Sequence, residues 1–541
     1  MRDTAYDLVV IGSGAAGLAA ALTAAREGAS VIVLEASDKI GGATAFSGAL
    51  LWAPANRWQR AAGFEDSKDT ARAYIDRALG ARAQDKRWDV FLDRVNPVIE
   101  QLLVEESGLS LVMNRYPDAF GEWPEGRDSR HLSANPFPLS ALAKEWLEKI
   151  RPPANPSAAL LTFADCERVG WIAPTAPKSL VRLLPTVLGN VIGKRRAMGF
   201  GFVCAMTAAC LRRGVRIDIN SRVTDLVVDR GRVIGVVAAT ADGAQKFSAL
   251  KGVVLAAGGF SWQESARAQF LAGPYELPQD PPTNTGDSLR LAQSVGAQLS
   301  ALDEAWNLPS APMDVLYMGA SVGQPLVADR MLPHQIWVNK QGRRFVNEAS
   351  QNAAEAFAVR DDAGGLINYP CFNIFDQNYR KKYRIYMKHD AGSNGPPDLV
   401  RADSLPELAA KIGVDANGLV QTVTKYNAMA VAGRDTLFGR GEGAYERYFT
   451  GNDGSLGPIK DAPFFALPVY SGGVGTKGGA MTDEQGRVLS TAGAVIEGLF
   501  AAGNASAAFN GPITVAAGCT IPPALVMGNV SALSALGRAA F

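Results

Sequence analysis

Residues 6–17 read YDLVVIGSGAAG, and this stretch decides the fold. The apolar run from Leu8 to Ile11 is typical of a strand that is buried on both faces of a parallel sheet. Glycines interrupt the chain next, and the segment from Ala15 to Arg26 is rich in alanine and leucine, which favours a helix. A second apolar run, from Val31 to Ala36, completes a strand, turn, helix and strand within about 30 residues. The sequence therefore predicts a parallel α/β sheet.

The glycines of this turn have the spacing GxGxxG. Gly12 allows the tight turn, Gly14 lets a diphosphate approach the backbone, and Gly17 lets the helix pack closely on the strand. The helix N-terminus then offers free N–H groups and the positive end of its dipole. Glu35 follows 18 residues after Gly17, where a carboxylate accepts hydrogen bonds from ribose hydroxyls. The pattern favours a dinucleotide site over a purely structural βα turn.

A second glycine-rich loop, residues 39–48, follows Glu35 so closely that the cofactor should extend further along the chain, as FAD does. Tight polar loops at residues 256–259, 284–287 and 502–504 would add close approaches of the backbone. From these loops we expect the following residues at the FAD site: Gly12, Ser13, Gly14, Ala15, Ala16, Gly17, Glu35, Ala36, Ser37, Gly41, Gly42, Ala43, Thr44, Ser47, Gly48, Ala257, Gly258, Asp287, Gly503 and Asn504.

Charge and composition exclude several classes of protein. The 541 residues hold 54 basic and 53 acidic side chains, so the net charge of +1 gives no reason to expect a nucleic-acid partner. Five cysteines without a CxxC motif and three histidines without metal-ligand spacing argue against a disulfide scaffold and a metal site. Glycines break the apolar stretch from Leu8 to Ala25, which argues against a transmembrane segment, and no signal peptide is visible. We expect a cytoplasmic protein.

The later chain predicts the domain organisation. Apolar runs at residues 252–260 and 498–504 resemble further strands of the first sheet. The segment between them differs in composition and contains most of the later tyrosines and many turn residues. We therefore expect an α/β fold with a Rossmann-like FAD-binding domain and an inserted α+β catalytic (cap) domain. The expected division is 1–277 and 456–541 for the two parts of the FAD-binding domain and 278–455 for the insertion. Residues 117–138, rich in Pro, Gly and Asp, are predicted as a long loop.

The five glycine-rich signals together resemble the flavoprotein family that contains fumarate reductases and 3-ketosteroid Δ1-dehydrogenases, over nearly the whole chain. This resemblance implies that both chain ends build the FAD domain, that Glu35 binds the adenosine ribose and that Val223 lies near the adenine. Members that oxidise succinate attach their flavin to a histidine that would fall at residues 44–47. No histidine occurs there, so we expect a non-covalent FAD.

Two further segments distinguish the branches of this family. Fumarate reductases carry a His-containing segment where this chain has GTKGG, residues 475–479, and an arginine soon after the Asn347-Glu348 pair. Here no arginine follows until Arg360, so the acid and the clamp for a dicarboxylate are missing. The GTKGG segment instead resembles the ketosteroid dehydrogenase branch.

The segment GPITVAAGCTIPPALVMG, residues 511–528, contains a predicted helix that starts after Thr520. By resemblance its N-terminus faces the flavin, which adds Thr520, Ile521, Pro522 and Leu525 to the expected FAD site. The N–H of Gly518 aligns with the family's donor to the substrate ketone oxygen. A simple turn at the start of the helix is the alternative interpretation of this glycine.

Two positions depart from the steroid branch. A tyrosine that hydrogen-bonds the ketone aligns with Thr514, and the tyrosine that removes the α-proton aligns with Asn352. Tyr116, Tyr317 and Tyr470 are candidates to take over these roles together with Thr514 and Gly518, although each tyrosine could equally be a packed core residue.

The sequence thus predicts an FAD-dependent oxidoreductase that desaturates a cyclic ketone, of the cyclohexanone type because both steroid-type tyrosines are absent. An α-proton would leave to a base and the β-hydride to flavin N5, and a quinone, dye or oxygen would reoxidise the flavin. Three alternatives stay open: a 3-ketosteroid dehydrogenase, a flavin-dependent ene reductase, and a non-catalytic FAD-binding protein.

Overall fold

The computed structural model describes residues 3–155, 158–170, 177–386 and 388–539. Its strands are β1 (Asp3–Ile11), β2 (Val31–Leu34), β3 (Leu51–Trp52), β4 (Leu111–Asn114), β5 (His131–Ala134), β6 (Phe137–Pro138), β7 (Arg195–Arg196), β8 (Arg216–Asp218), β9 (Arg222–Asp229), β10 (Arg232–Thr240), β11 (Gly243–Leu255), β12 (Leu277–Pro278), β13 (Leu299–Ser300), β14 (Ala305–Pro312), β15 (Gly323–Pro325), β16 (Gln335–Val338), β17 (Cys371–Phe375), β18 (Val400–Ala402), β19 (Phe464–Thr476), β20 (Gly479–Ala480), β21 (Arg487–Leu489) and β22 (Val495–Ala501).

The α-helices of the same residues are α1 (Ala15–Arg26), α2 (Gly42–Phe46), α3 (Arg57–Ala61), α4 (Lys68–Leu79), α5 (Arg87–Val98), α6 (Lys144–Leu147), α7 (Phe163–Val169), α8 (Pro177–Ile192), α9 (Met198–Arg212), α10 (Glu264–Phe270), α11 (Asp287–Ser294), α12 (Gln377–Lys382), α13 (Leu405–Ile412), α14 (Ala416–Ala432), α15 (Ala444–Thr450) and α16 (Ile521–Ala535). A π-helix, Ile99–Glu106, continues α5.

The first sheet has the strand order β21-β22-β11-β1-β2-β8, and the antiparallel strands β10 and β9 continue from β11. β1 runs parallel to β2 on one side and to β11 on the other, with Val9 opposite Ile32 and Val253. All four residues from Leu8 to Ile11 are buried, as expected of a central strand. The predicted strand–helix–strand unit is confirmed, and β2 ends at Leu34, so that Glu35 lies just beyond the sheet edge.

Helices α1 and α16 lie side by side, and both are buried almost throughout. Their contact is between backbones, because a Cβ on Gly528 would collide with the carbonyl group of Ala16. The first turn of α16 holds Pro522, as the sequence predicts. The close fit brings the N-terminal ends of the two helices into the same region of the molecule.

The second sheet has the order β15-β14-β19-β17-β16, and β12 and β18 also pair with β19. Its strands come from residues 277–476. Strand β19 lies inside the range 456–541 that the sequence assigned to the FAD-binding domain, yet it is the central strand of this second sheet. The domain division stays a prediction, and the pairing of β19 favours a return to the first domain after Thr476.

The prediction of one long loop over residues 117–138 is wrong in its second half. β5 pairs antiparallel with both β3 and β4 and forms a small three-stranded sheet. Arg130 anchors the start of β5, since its buried guanidinium donates to the carboxylates of Asp66 and Asp118. Residues 117–130 contain no helix or strand.

Candidate active site

The first glycine-rich turn forms an open cradle of backbone. Gly12 has φ +101°, and a Cβ there would lie 2.5 Å from the carbonyl oxygen of Ala256, so only glycine fits. Gly14 is extended, and its Cβ would meet only the Thr44 hydroxyl, at 3.7 Å. A Cβ on Gly42 would meet only the Cα of Gly14, at 3.9 Å. The space between Gly14 and Gly42, at the N-terminus of α1, suits the diphosphate of a dinucleotide.

Glu35 lies beside this cradle and binds two serines. Its Oε2 accepts from the N–H and hydroxyl of Ser13, at 3.1 and 2.6 Å, and its Oε1 accepts from the N–H and hydroxyl of Ser37, at 3.0 and 2.9 Å. Ser221 N donates to the carbonyl of Glu35, which brings the start of β9 and the buried Val223 next to it. The carboxylate is thus held at the end of β2 by N–H and hydroxyl donors, and hydroxyl is the kind of donor that a ribose also offers.

The second glycine-rich loop continues the same site. The Thr44 hydroxyl accepts from Ala15 N at 2.9 Å, which joins α2 to the start of α1. Ser47 donates its hydroxyl to Thr44 O at 2.7 Å. A Cβ on Gly48 would lie 2.6 Å from the ring of Phe163. Residues 12–17 and 41–48 thus form one continuous surface.

The loops at residues 256–259, 284–287 and 502–504 lie near this surface. Gly258 has φ +77°, and its missing side chain leaves room for the amide of Asn284. A Cβ on Gly503 would lie 3.1 Å from Ala16 Cβ, so the loop that contains Asn504 contacts the first turn of α1. Asp287 differs, because its carboxylate forms an ion pair with Arg222, the residue before Val223.

Gly518 has a conformation that requires glycine, and its N–H is free. Its φ is +72°, and a Cβ would lie 2.6 Å from Leu50 O. Its carbonyl accepts from Trp52 N at 3.0 Å, and the preceding carbonyl, that of Ala517, accepts from His131 Nε2 at 2.9 Å. Among the described residues, none accepts a hydrogen bond from Gly518 N–H. This donor is available to a ligand.

Tyr116 belongs to an aromatic cluster that we define as Tyr116, Phe163, Tyr445, Tyr448 and Phe449. The hydroxyl groups of Tyr116 and Tyr445 lie 3.4 Å apart. Burial raises the pKa of both phenols, while the positive charge of Arg330 acts in the opposite direction on both. The cluster packs against Ala517 and Leu50. Tyr116 is therefore close to Gly518, as a catalytic role would require.

Tyr445 escaped the sequence reasoning. The segment AYERYFT, residues 444–450, places Tyr445, Tyr448 and Phe449 at i, i+3 and i+4, the spacing of one helix face. This aromatic helix face is the feature of the sequence from which Tyr445 could have been predicted. Its partner Tyr116 is 329 residues away along the chain.

The loop before Gly518 is held from two sides. Asn352 Nδ2 donates to Thr514 O at 3.1 Å, and Thr514 N donates to Asn352 Oδ1 at 2.7 Å. Lys477, from the GTKGG segment, donates its Nζ to the carbonyls of residues 511, 512 and 513, at 2.8, 2.9 and 3.4 Å. Burial lowers the pKa of Lys477, whose ammonium also lies 4.6 Å from the centre of the Trp306 ring. No sequence pattern predicts this role of Lys477.

A cavity of about 230 Å³ adjoins this loop and is lined by Glu304, Asn307, Glu355 and Pro512, among others. Burial raises the pKa of Glu355 to about 7, although the charge of Lys477 partly opposes this shift. Asn307 donates to Glu355 at 2.9 Å. The loop thus has an acidic cavity beside it as well as a buried cation.

The other two predicted tyrosines lie outside the aromatic cluster. Tyr317 packs edge-on against Phe46 with ring centres 4.7 Å apart, and its hydroxyl donates to Pro152 O at 2.9 Å. The hydroxyl of Tyr470 lies 3.3 Å from a carboxylate oxygen of Asp398, at the protein surface. Neither is recorded in contact with Gly518 or the aromatic cluster among the described residues. The next residue of β19, Ser471, lines the cavity, and successive residues of a strand face opposite sides.

Other kinds of site are absent from the described ranges. No group of three or more potential metal-ligating side chains occurs there. Within the same ranges, no helix has both the length and the apolarity needed to cross a membrane. All five cysteines are free thiols.

Comparison with known proteins identifies the family. The sequence profile of the FAD binding domain family matches residues 7–521. The chain belongs to this family. It is an FAD-dependent oxidoreductase, and the resemblance derived from its glycine-rich loops is confirmed.

Several relatives of this family member are named dehydrogenases. The chain is 36% identical to 4-oxocyclohexanecarboxylate 2-dehydrogenase of Sinomonas cyclohexanicum, over 99% of this chain and 93% of the relative. It is 34% identical to 3-oxosteroid 1-dehydrogenase of Mycolicibacterium smegmatis, over 100% and 99%. Its fold matches the crystal structure of 3-ketosteroid Δ1-dehydrogenase from Sterolibacterium denitrificans in complex with 1,4-androstadiene-3,17-dione, with a TM-score of 0.88, 30% identity and coverage of 99% and 100%.

Proposed function

We propose that this protein introduces an α,β double bond into a monocyclic ketone of the cyclohexanone type. The free Gly518 N–H beside the aromatic cluster that holds Tyr116 carries the proposal. Asn352 and Thr514, in place of the two steroid-branch tyrosines, favour a substrate smaller than a steroid. The relative that acts on 4-oxocyclohexanecarboxylate supports the same substrate class.

The cradle residues fit a non-covalent FAD. Gly14 and Gly42 would face the diphosphate, Glu35 the adenosine ribose, and the uncapped N-termini of α1 and α16 the anionic parts of the cofactor. When bound, FAD supplies the hydride acceptor, its N5 atom. Residues 44–47 contain no histidine, so heat denaturation should release all of the flavin into solution.

The protein's own groups would prepare the ketone for this step. Gly518 N–H, with the Thr514 hydroxyl as a second donor, would donate to the ketone oxygen and stabilise the negative charge that develops there when the α-proton leaves. The ionised form of the Tyr116–Tyr445 pair would receive that proton, and the charge of Arg330 partly opposes the rise in pKa that burial causes in both phenols. In this assignment Tyr445 takes the place of Tyr317 and Tyr470.

The proposal also covers the electron acceptor and the cellular compartment. A quinone, a dye or oxygen would accept the electrons and restore the oxidised flavin. We place the protein in the cytoplasm, where its five free thiols would stay reduced.

Anaerobic mixing of the holoenzyme with single ketones tests the proposal. Cyclohexanone or 4-oxocyclohexanecarboxylate should bleach the oxidised-flavin absorbance, whereas a 3-ketosteroid and succinate should not. Bleaching by the steroid alone would instead support a 3-ketosteroid dehydrogenase, the second candidate, which the TM-score of 0.88 favours. A flavin that no ketone reduces would rule out both.

A further inference from the structure

The peptide unit between Ala517 and Gly518 is held by a histidine that the proposed reaction has not yet used. We infer that His131 is a positioning residue that orients the Gly518 N–H toward the ketone oxygen, an inference that rests on the proposed function. His131 is completely buried, and its Nε2 lies 2.9 Å from Ala517 O. A carbonyl oxygen only accepts, so Nε2 carries the hydrogen and donates.

The rigidity of the peptide explains how this contact acts on Gly518. The C=O of Ala517 and the N–H of Gly518 belong to one planar trans unit and point in opposite directions. Fixing the carbonyl oxygen therefore fixes the direction of the N–H. The hydrogen bond from His131 also polarises the unit, which strengthens the N–H as a donor.

A second contact from the same small sheet holds the other side of Gly518. Trp52 N donates to Gly518 O at 3.0 Å, and Trp52 and His131 lie opposite each other in the β3–β5 pair. Leu50 O closes the remaining side, where a Cβ of Gly518 would be. Strands β3 and β5 thus hold both peptide units that meet at Gly518.

The charge state of His131 suits this role. Burial lowers the pKa of His131 to about 3, although its contacts with the backbone of Ala517 and Tyr116 partly oppose this shift. The ring stays neutral and keeps a single N–H. It also lies 5.2 Å from the ring of Tyr116, measured between ring centres, and so links the oxygen-binding donor to the proposed proton acceptor.

The test compares His131→Phe, which keeps a ring without a donor, with His131→Gln, whose amide can donate in place of Nε2. We expect H131F to slow flavin reduction by the ketone by about 10- to 100-fold, below the ~10²–10³ typical of losing an oxyanion donor itself. H131Q should regain most of that rate. His334→Asn is the matched control, because His334 also contacts a backbone carbonyl, Pro458 O at 2.8 Å, outside the site.

A second readout separates positioning from general damage. 4-Hydroxybenzoate, a planar ring whose oxygen mimics an enolate oxygen when the phenol is ionised, serves as the probe in calorimetric titrations of the FAD-loaded variants at a pH at which that phenol is ionised. H131F should bind it about 10-fold or more weakly, while KM for 4-oxocyclohexanecarboxylate changes by less than about threefold, because the charged oxygen depends more on the donor. FAD content and the melting temperature are recorded for every variant.

The outcomes distinguish a failure of the role of His131 from a failure of the proposed function. Wild-type rates and wild-type affinity for 4-hydroxybenzoate in H131F would overturn the role of His131. A wild-type protein that no ketone reduces would overturn the proposed function, and the inference with it. Should H131F not fold, His131→Asn, whose amide is too short to reach Ala517 O, replaces it in the comparison with H131Q.

Discussion

Asn352 and Thr514 bind each other through two hydrogen bonds, one in each direction, and both involve the backbone of Thr514. In the ketosteroid dehydrogenases that this chain resembles, tyrosines align with both positions. Two hydrogen bonds between the Asn352 side chain and the Thr514 backbone, which we call the clamp, therefore take the place of two phenols. The Thr514 hydroxyl has no hydrogen-bond partner among the described residues.

Asn352→Ala should remove this clamp. The free energy of unfolding should fall by about 1–3 kcal/mol, because the Thr514 N–H and C=O lose their partners. Thr514→Val is the matched variant, since it keeps both backbone bonds. It should unfold like the wild type but reduce its flavin about 10²-fold more slowly, because only the hydroxyl is lost. Denaturant titration and stopped-flow absorbance measure the two effects, and equal rates in Thr514→Val and the wild type would remove Thr514 from the site.

Lys477→Met should loosen the loop at residues 511–513. Three carbonyls lose their donor, and Glu355 loses a nearby positive charge, so hydrogen exchange in this loop should accelerate and stability should fall by about 3–5 kcal/mol. Combining it with Glu355→Gln should restore part of the loss, because both charges are then absent. Lys460→Met, at an exposed lysine, is the control. Additive losses in the double variant would show that Lys477 and Glu355 do not interact.

Asp280 should make stability depend on pH. Its buried carboxylate accepts from Ser261, Trp262 and Asn284, and burial raises its pKa from 3.8 to about 6. The folded protein then binds more protons than the unfolded chain between these values, so the contribution of Asp280 is present below about pH 4 and is lost as the pH rises through about 6.

Chemical denaturation of the wild type and Asp280→Asn from pH 4 to 7 measures this effect. The difference in unfolding free energy between the wild type and Asp280→Asn should change by up to ~3 kcal/mol over this range. The wild type should become less stable relative to the variant as the pH rises. A difference that is constant across this range would contradict the raised pKa.

Gly14→Ala should weaken FAD binding without unfolding the protein. Gly14 has an extended backbone that any residue adopts, and the new methyl group would project into the open cradle. We expect the Kd for FAD to rise by at least ~10-fold, measured by fluorescence titration of the apoprotein. Gly189→Ala, at an exposed glycine of α8 with nothing within 4 Å, controls for the general effect of an added methyl group. Unchanged affinity in Gly14→Ala would place the diphosphate elsewhere.

Sequence reasoning worked where the signal was local. The run from Leu8 to Ile11, the glycine spacing after it and the helix from Ala15 to Arg26 depend on neighbouring residues, and the structure reproduces them. The contact of Tyr116 with Tyr445 depends on two segments that only the tertiary fold brings together. Nothing near Tyr116 in the sequence indicates that contact.

The same limit explains the other missed residues. His131 has no unusual neighbours in the sequence, and its role follows only from the distant carbonyl of Ala517. Lys477 stood in a recognised motif, but its three acceptors lie more than 30 residues further along the chain. The role of Tyr470 stays a prediction, because a one-residue step along a strand reverses the direction of a side chain and the sequence does not show which way it points.

Strand β19 ends at Thr476, whose hydroxyl accepts from Phe260 N at 3.0 Å. The strand that forms the centre of the second sheet therefore ends on the loop that follows β11 in the first. Strand β19 therefore couples the two sheets mechanically. A displacement of the second sheet along the axis of this strand is transmitted to residues 256–260. The two sheets can separate as rigid bodies only if the bond between Thr476 and Phe260 breaks.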